Sequence, residues 1–555
     1  MDERRVTRTL IDHFFRRFFD NDTIQVEGET LTTVVRAIAI VAAPGAAVGI
    51  RLLNQYPDPR WSFPRPPWVA VGDQYFFVMF SFVVMAAVSI FEWEMLFPDR
   101  LDFLVLSPLS VKPLQMLAAK SAALIGFLTL FLIACNVFGI VMLPALSRGG
   151  FIRHIYAHTA AVLLAGIFGA LLILALGGIL LCTLDAARFR IASPILQMVS
   201  VMGLVLLMLQ YARLGASMQA LLSRPLGMAR WIPPIWFLGL YQHLLHEDAA
   251  PAFALTMTRY AIRGTVIAAL MVLLTYPMAW ARMRKMAVEG SSRTRAQPSV
   301  WLSRLIHTLV RRPGERAVFH FIGQTIRRNN RYQVYLAIYG GTGLALAVAC
   351  AVTLRVTSAT MHPSLSNYGM HALMPLMLFW IIAGLRMAFA FPLNLSAGWV
   401  FRITGVSSAE CAAAARKWVI ACAIGLMVGI VTALHLAGWD VRHLLIQTIS
   451  GLCLCILLTD AFFFSQQNVP FNQPRMPGKT NFPLMLTIYV GVFPVFVLWV
   501  IHIEMQIERN PMKLLLPILV VIGIHAALGV LRRGSGQVEE EMEGYEGEFQ
   551  LLGLS

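Results

Sequence analysis

The chain has 555 residues, 58% of them hydrophobic and 13% charged, and its mean hydropathy is +0.68. That much apolar surface excludes an ordinary soluble domain and points to a polytopic membrane protein. The formal net charge of +16 reads as a topology signal with attraction to anionic lipid headgroups. The basic residues border apolar runs and no recognisable binding module accompanies them, so nucleic acid is not an expected partner.

A membrane-crossing helix needs about 20 largely uncharged residues, and about twelve such runs are present. In the first half they lie near 33–50, 75–96, 114–143, 154–182, 194–212 and 252–280. In the second they lie near 333–354, 370–391, 414–438, 443–465, 482–503 and 512–531. The expected fold is all-α, a polytopic membrane protein of about twelve transmembrane helices in a 6+6 pseudo-repeat. An N-terminal six-span half occupies 1–281, a basic linker 282–332, a C-terminal half 333–533 and an acidic tail 534–555. No cleavable signal peptide is expected, because the Arg-rich N-terminus has no small-residue cleavage site.

In chain order, residues 7–19 set Leu10, Phe14, Phe15, Phe18 and Phe19 against Arg16 and Arg17, the pattern of a helix lying on the membrane. Residues 301–328 repeat it before the second half, with Trp301, Leu305, Val318, Phe319 and Ile322 between arginines. In the first half, Phe97-Pro98-Asp99-Arg100 leads through Asp102 and Leu106 to Ser107-Pro108-Leu109-Ser110, and Lys120 stands just inside the next run. In the second, Phe391-Pro392 leads to Arg402-Ile403-Thr404-Gly405-Val406-Ser407, with Arg416 and Lys417 following. Pro98 and Pro113 bracket the first of these polar segments, since proline fixes φ and interrupts helix continuity; Pro392 has no matching proline at the far end of the second.

Cations also set the orientation. Arg4, Arg5 and Arg8 precede the first run, and Arg282, Arg284, Lys285, Arg311, Arg312, Arg327 and Arg328 crowd the linker. With an even number of spans, both termini and the linker are expected in the cytoplasm, and the location is the cell inner (plasma) membrane. Near the end of each half's fourth span an acid follows similar residues, Asp185 after Cys182-Thr183-Leu184 and Asp460 after Leu458-Thr459. These are candidate intramembrane polar sites, although an acid at a boundary more often caps or pairs locally.

No catalytic residue is assigned. Pro477-Gly478-Lys479-Thr480 ends like a phosphate-binding loop, but position 473 is Gln and the flanks are membrane spans. His243, His246, Glu247 and Asp248 follow a Trp- and Pro-rich stretch that suggests a helix resting at or re-entering the outer interface rather than a metal site. The seven cysteines lie in or at the ends of apolar runs and read as packing residues. Neither an enzyme nor a cofactor is expected.

The segment from Phe97 to Ser110, with Lys120 following, resembles the stretch between the second and third spans in permease subunits of the type-2 ABC exporter superfamily. The resemblance implies six spans per half and a separate ABC ATPase subunit as partner. It makes Asp99, Arg100, Asp102, Leu106, Pro108 and Ser110 candidate coupling residues, with Arg402 in the second half. The expected function is permease of an ABC-type exporter working by alternating access in membrane lipid. The alternative is a secondary, ion-coupled transporter, which would need buried charges. A membrane-embedded enzyme would need a polar constellation not found here.

Overall fold

The computed structural model describes residues 3–19, 30–56, 67–96, 106, 111–146, 150–216, 218–219, 228–246, 250–289, 307–356, 361–390, 401, 403–464, 470–471 and 491–531. The fold is all-α apart from one two-stranded sheet. Eleven described helices are long and apolar enough to cross a membrane. The run expected at 482–503 falls partly outside the described residues, and the helix there is Phe493–Arg509. The chain divides into two compact units, one of residues 1–293 with Leu354–Pro363, the other of the remainder.

The first unit contains α1 (Glu3–Phe19), α2 (Thr30–Gln55), α3 (Pro67–Phe91), α4 (Trp93–Leu96), α5 (Pro113–Leu146), α6 (Phe151–Thr183), α7 (Ala186–Ala216), α8 (Pro233–His246) and α9 (Ala252–Glu289). At about 1.5 Å per residue, the 34 residues of α5 reach roughly 50 Å, well beyond the ~30 Å hydrocarbon layer. Helix α3 begins eight residues before the apolar run expected at 75–96. The early turns carry Asp73 and Gln74, which look like loop residues but are buried and partnered: Tyr56 donates to Asp73 at 3.0 Å, and Gln242 donates to Gln74.

The apolar face of α1 is covered by protein. Leu10, Phe14, Phe18 and Phe19 are buried, and Phe18 stacks on Phe127 of α5 at 4.7 Å. The amphipathic pattern foretold the buried face but not what would cover it, since a face suited to lipid suits a neighbouring apolar helix equally. The short α8 is likewise drawn inward: Phe237, Leu238 and Tyr241 have no exposed surface, and the helix packs on α3, α6 and α9.

The second unit contains α10 (Pro313–Arg328), α11 (Asn330–Ala351), α12 (Asn367–Ala390), α13 (Ser408–Leu436), α14 (Val441–Phe462), α15 (Phe493–Arg509) and α16 (Pro511–Leu531); strands β1 (Val352–Val356) and β2 (Met361–Leu365), between α11 and α12 in the chain, fall mostly within the 354–363 segment of the first unit. The second unit's core gathers Val318 and Ile322 of α10 with residues of α12, α13, α14 and α15. α10 packs on α13 as α1 packs on α5. α16 leaves nearly all its apolar surface outside the protein, as a lipid-facing helix does.

Candidate functional site

Most of the sequence-derived coupling residues, Asp99, Arg100, Asp102, Pro108, Ser110 and Arg402, lie outside the described residues. The structure describes what grips the two connecting segments. In the first unit the grip is the last turns of α9. The Tyr276 hydroxyl donates to the Leu96 carbonyl at 2.9 Å, fixing the point where the segment leaves α4. One turn on, buried Trp280 packs with Met116, and Leu106, Val111 and Met283 lie against them. One helix end therefore holds the start and the finish of the 97–112 connection. Leu106 is half-buried in this cluster, so its side chain serves the unit's own packing.

The same helix end also holds the α6–α7 corner. Arg282 Nη1 donates to the carbonyls of Leu181 and Cys182 at 2.8 and 2.9 Å. Those carbonyls belong to the last turn of α6, whose final C=O groups have no intrahelical partner, and a cation there also suits the helix dipole. A close approach makes this reach possible, because a Cβ on Gly178 would lie 2.9 Å from Cβ of Thr275.

The second unit grips its 391–407 segment differently. Ser407 and Glu410 form a capping box at the start of α13, each side chain accepting from the other's backbone N–H at 3.3 Å. Such a box satisfies two of the helix's orphan donors and ends the segment where the first unit uses Pro113. Lys417 lies 2.5 Å from Glu315 of α10, whose side chain is 7% exposed. Its positional counterpart, Lys120, is buried on α5 with Nζ 5.5 Å from the Phe14 ring of α1. In both units the cation inside the third span touches the helix that opens the unit.

The two acids part company. Asp185 is exposed in the turn between α6 and α7, 3.6 Å from Arg188, because α6 has already ended at Thr183. Asp460 lies inside α14, 2% exposed, with Oδ2 2.5 Å from His525 of α16. Similar tripeptides thus land on opposite sides of a helix terminus.

At the opposite end of each unit, sequence reasoning missed a cluster of polar residues. In the first, Gln74 and Gln242 bond each other beside an approximately 380 Å³ cavity lined by Trp68, Val71, Met218 and Gln242. Fully buried His158 nearby lies edge-on to Phe77 and Tyr241. In the second, His371, His443 and Glu508 line a cavity of about 390 Å³ with Trp439 and Asp440. No family model matches the chain, and no curated protein or solved structure matches it either.

Proposed function

We propose that the chain is the permease component of an ABC-type exporter in the inner (plasma) membrane. Both termini and the 282–332 linker lie in the cytoplasm, and separate ATPase subunits drive alternating access. The observation that carries this reading is the end of α9: Tyr276, Trp280 and Arg282 gather the 97–112 connection and the α6–α7 corner onto one membrane-crossing helix. A push on either loop moves α9, and a rigid helix carries that displacement across the membrane. Such a hub suits an energy source docking at one face, with hinge or shear motion between packed helices.

Co-purification with a co-expressed stand-alone ATPase tests the reading. Wild type should retain the ATPase, and Arg100→Glu should lose it while still inserting in the membrane. Retention by both variants to the same extent contradicts docking at this segment. Labelling a single cysteine at Ser291, in a background without native cysteines, checks the orientation: an impermeant reagent should fail to label it from outside.

An ion-coupled carrier is favoured by one observation, the ionisable side chains around His371 and Glu504 at the ends of α12 and α15. Transport that survives ATP depletion but stops with a proton ionophore would select it.

A further inference from the structure

We propose that the second unit carries a proton-binding site at the end opposite its 391–407 segment, built from His371, His443, Glu504, Glu508 and Asp440 around Trp439. The site holds for an ATP-driven or an ion-driven carrier alike.

Three helices bring it together. α12 supplies His371 in its first turns, the start of α14 supplies His443 just after Asp440, and the last turns of α15 supply Glu504 and Glu508. The five groups alternate in kind. His371 Nδ1 is 3.7 Å from Glu504 and its Nε2 is 3.3 Å from Glu508. His443 Nε2 touches the other oxygen of Glu508, and its Nδ1 is 3.7 Å from Asp440. Each imidazole therefore stands between two carboxylates, and Glu508 is shared.

The charge balance points to protons. Three carboxylates meet here, and among the described residues no Lys or Arg pairs with any of them. Arg442 and Arg509 neighbour the cluster in sequence but are exposed, as is His502. Lys513 at the start of α16 bonds Gln506 instead. Among the described residues lining the cavity, α12 adds one further titratable group, Tyr368. The apolar layer beneath, with Met370, Leu434 and Leu444, brings no charge. Compensation must come from the imidazoles, and an imidazole compensates only when protonated.

Burial makes the compensation necessary. Glu504 is 3% exposed and His371 is 8% exposed, and Glu504 Oε1 and His371 Nδ1 lack hydrogen bonds. A buried carboxylate left uncompensated is strongly unfavourable. Two protons tie the ends of α12, α14 and α15 together. Their loss leaves Glu504 and Glu508 repelling each other one turn apart on α15 and loosens the wall of the approximately 390 Å³ cavity. A metal is a poorer occupant: the contacts are direct imidazole–carboxylate contacts, and among the described residues no His, Cys, Asp and Glu group is arranged to hold an ion.

Trp439 supplies the readout. Its ring lies edge-on to both imidazoles, 5.8 Å from His371 and 5.8 Å from His443, close enough for a protonated imidazole to quench indole fluorescence. The experiment titrates purified full-length protein, in detergent with a chelator, and subtracts the Trp439→Phe signal to isolate Trp439. The difference signal should fall on acidification. Glu504→Gln should move its midpoint to lower pH by about one unit, because a lost carboxylate makes the imidazolium easier to deprotonate. His443→Gln should remove about half the amplitude, by the near-equal spacing of the two rings. Asp440→Asn, at the exposed rim, should give a smaller shift in the same direction and stands in should Glu504→Gln fail to fold. A flat difference signal, or a midpoint that neither carboxylate variant moves, overturns the proposal. Quenching that appears only with added Zn²⁺ overturns it too, in favour of a metal.

Discussion

At the ends opposite their connecting segments, the two units bury polar side chains of different kinds. The first holds an amide pair, Gln74 and Gln242, with His158 enclosed by Phe77 and Tyr241. The second holds carboxylates alternating with imidazoles. Amides hydrogen-bond without changing charge, whereas an imidazole beside a carboxylate compensates it only when protonated. Within each unit, glycines differ in how closely they let helices meet. Gly166 and Gly169 let α6 close onto Ser81 and Phe82 of α3, and in the second unit Gly343 and Gly384 let α11 and α12 close at Trp380 and Tyr339, whereas Gly425 and Gly429 of α13 have nothing within 4 Å. Close backbone contact of the first kind is the usual packing device inside membranes.

The glycine contrast gives the largest expected effect. A Cβ at Gly169 would lie 2.5 Å from the Phe82 carbonyl oxygen, a backbone atom that cannot swing away. Gly169→Ala should therefore destabilise the detergent-purified protein by about 3 kcal/mol. Gly429→Ala should leave stability unchanged or raise it by up to about 1 kcal/mol. Equal losses in thermal unfolding would erase the contrast.

Next comes the cation inside each third span. Lys417→Met strands the nearly buried Glu315 carboxylate and should cost about 2 kcal/mol, discounted for the partial exposure of Lys417. Glu315→Gln in the same background should recover part of that loss, a coupling that a double-mutant cycle reads directly. Additive losses would mean that the pair does not hold α10 to α13.

The smallest effects separate the two acids. Asp460→Asn removes a charge-assisted contact from a buried position and should cost about 1.5 kcal/mol. Asp185→Asn breaks only an exposed pair and should cost less than about 0.5 kcal/mol.

Much of the fold was legible because apolar runs of bilayer length report their own helices. The start of α3 was not, since Asp73 and Gln74 look like a loop until Tyr56 and Gln242 are seen to partner them. The capping box was legible: Ser407 precedes Glu410 by three residues, the spacing that marks a helix start, and it ends the segment without a proline. Glu504 and Glu508 stand four apart, the spacing of neighbours on one helix face, but His371 and His443 come from distant helices and only packing unites them. The Asp185 and Asp460 parallel misled, because local similarity does not say whether a helix has ended. The coupling segment itself was read from family resemblance, and the grip of α9 on it depends on contacts across about 180 residues of chain.

The most direct test of the proposed transmission through α9 reconstitutes the protein with a stand-alone ABC ATPase of the kind proposed to drive it, comparing co-purification with transport-stimulated ATP hydrolysis. The double variant Tyr276→Phe, Arg282→Gln removes three hydrogen bonds from α9 to the last turns of α4 and α6 and leaves the 97–105 residues untouched. It should bind the ATPase like wild type and lose stimulation by about tenfold, the factor that ~1.4 kcal/mol of lost coupling represents. Unchanged stimulation with unchanged binding would contradict transmission through α9.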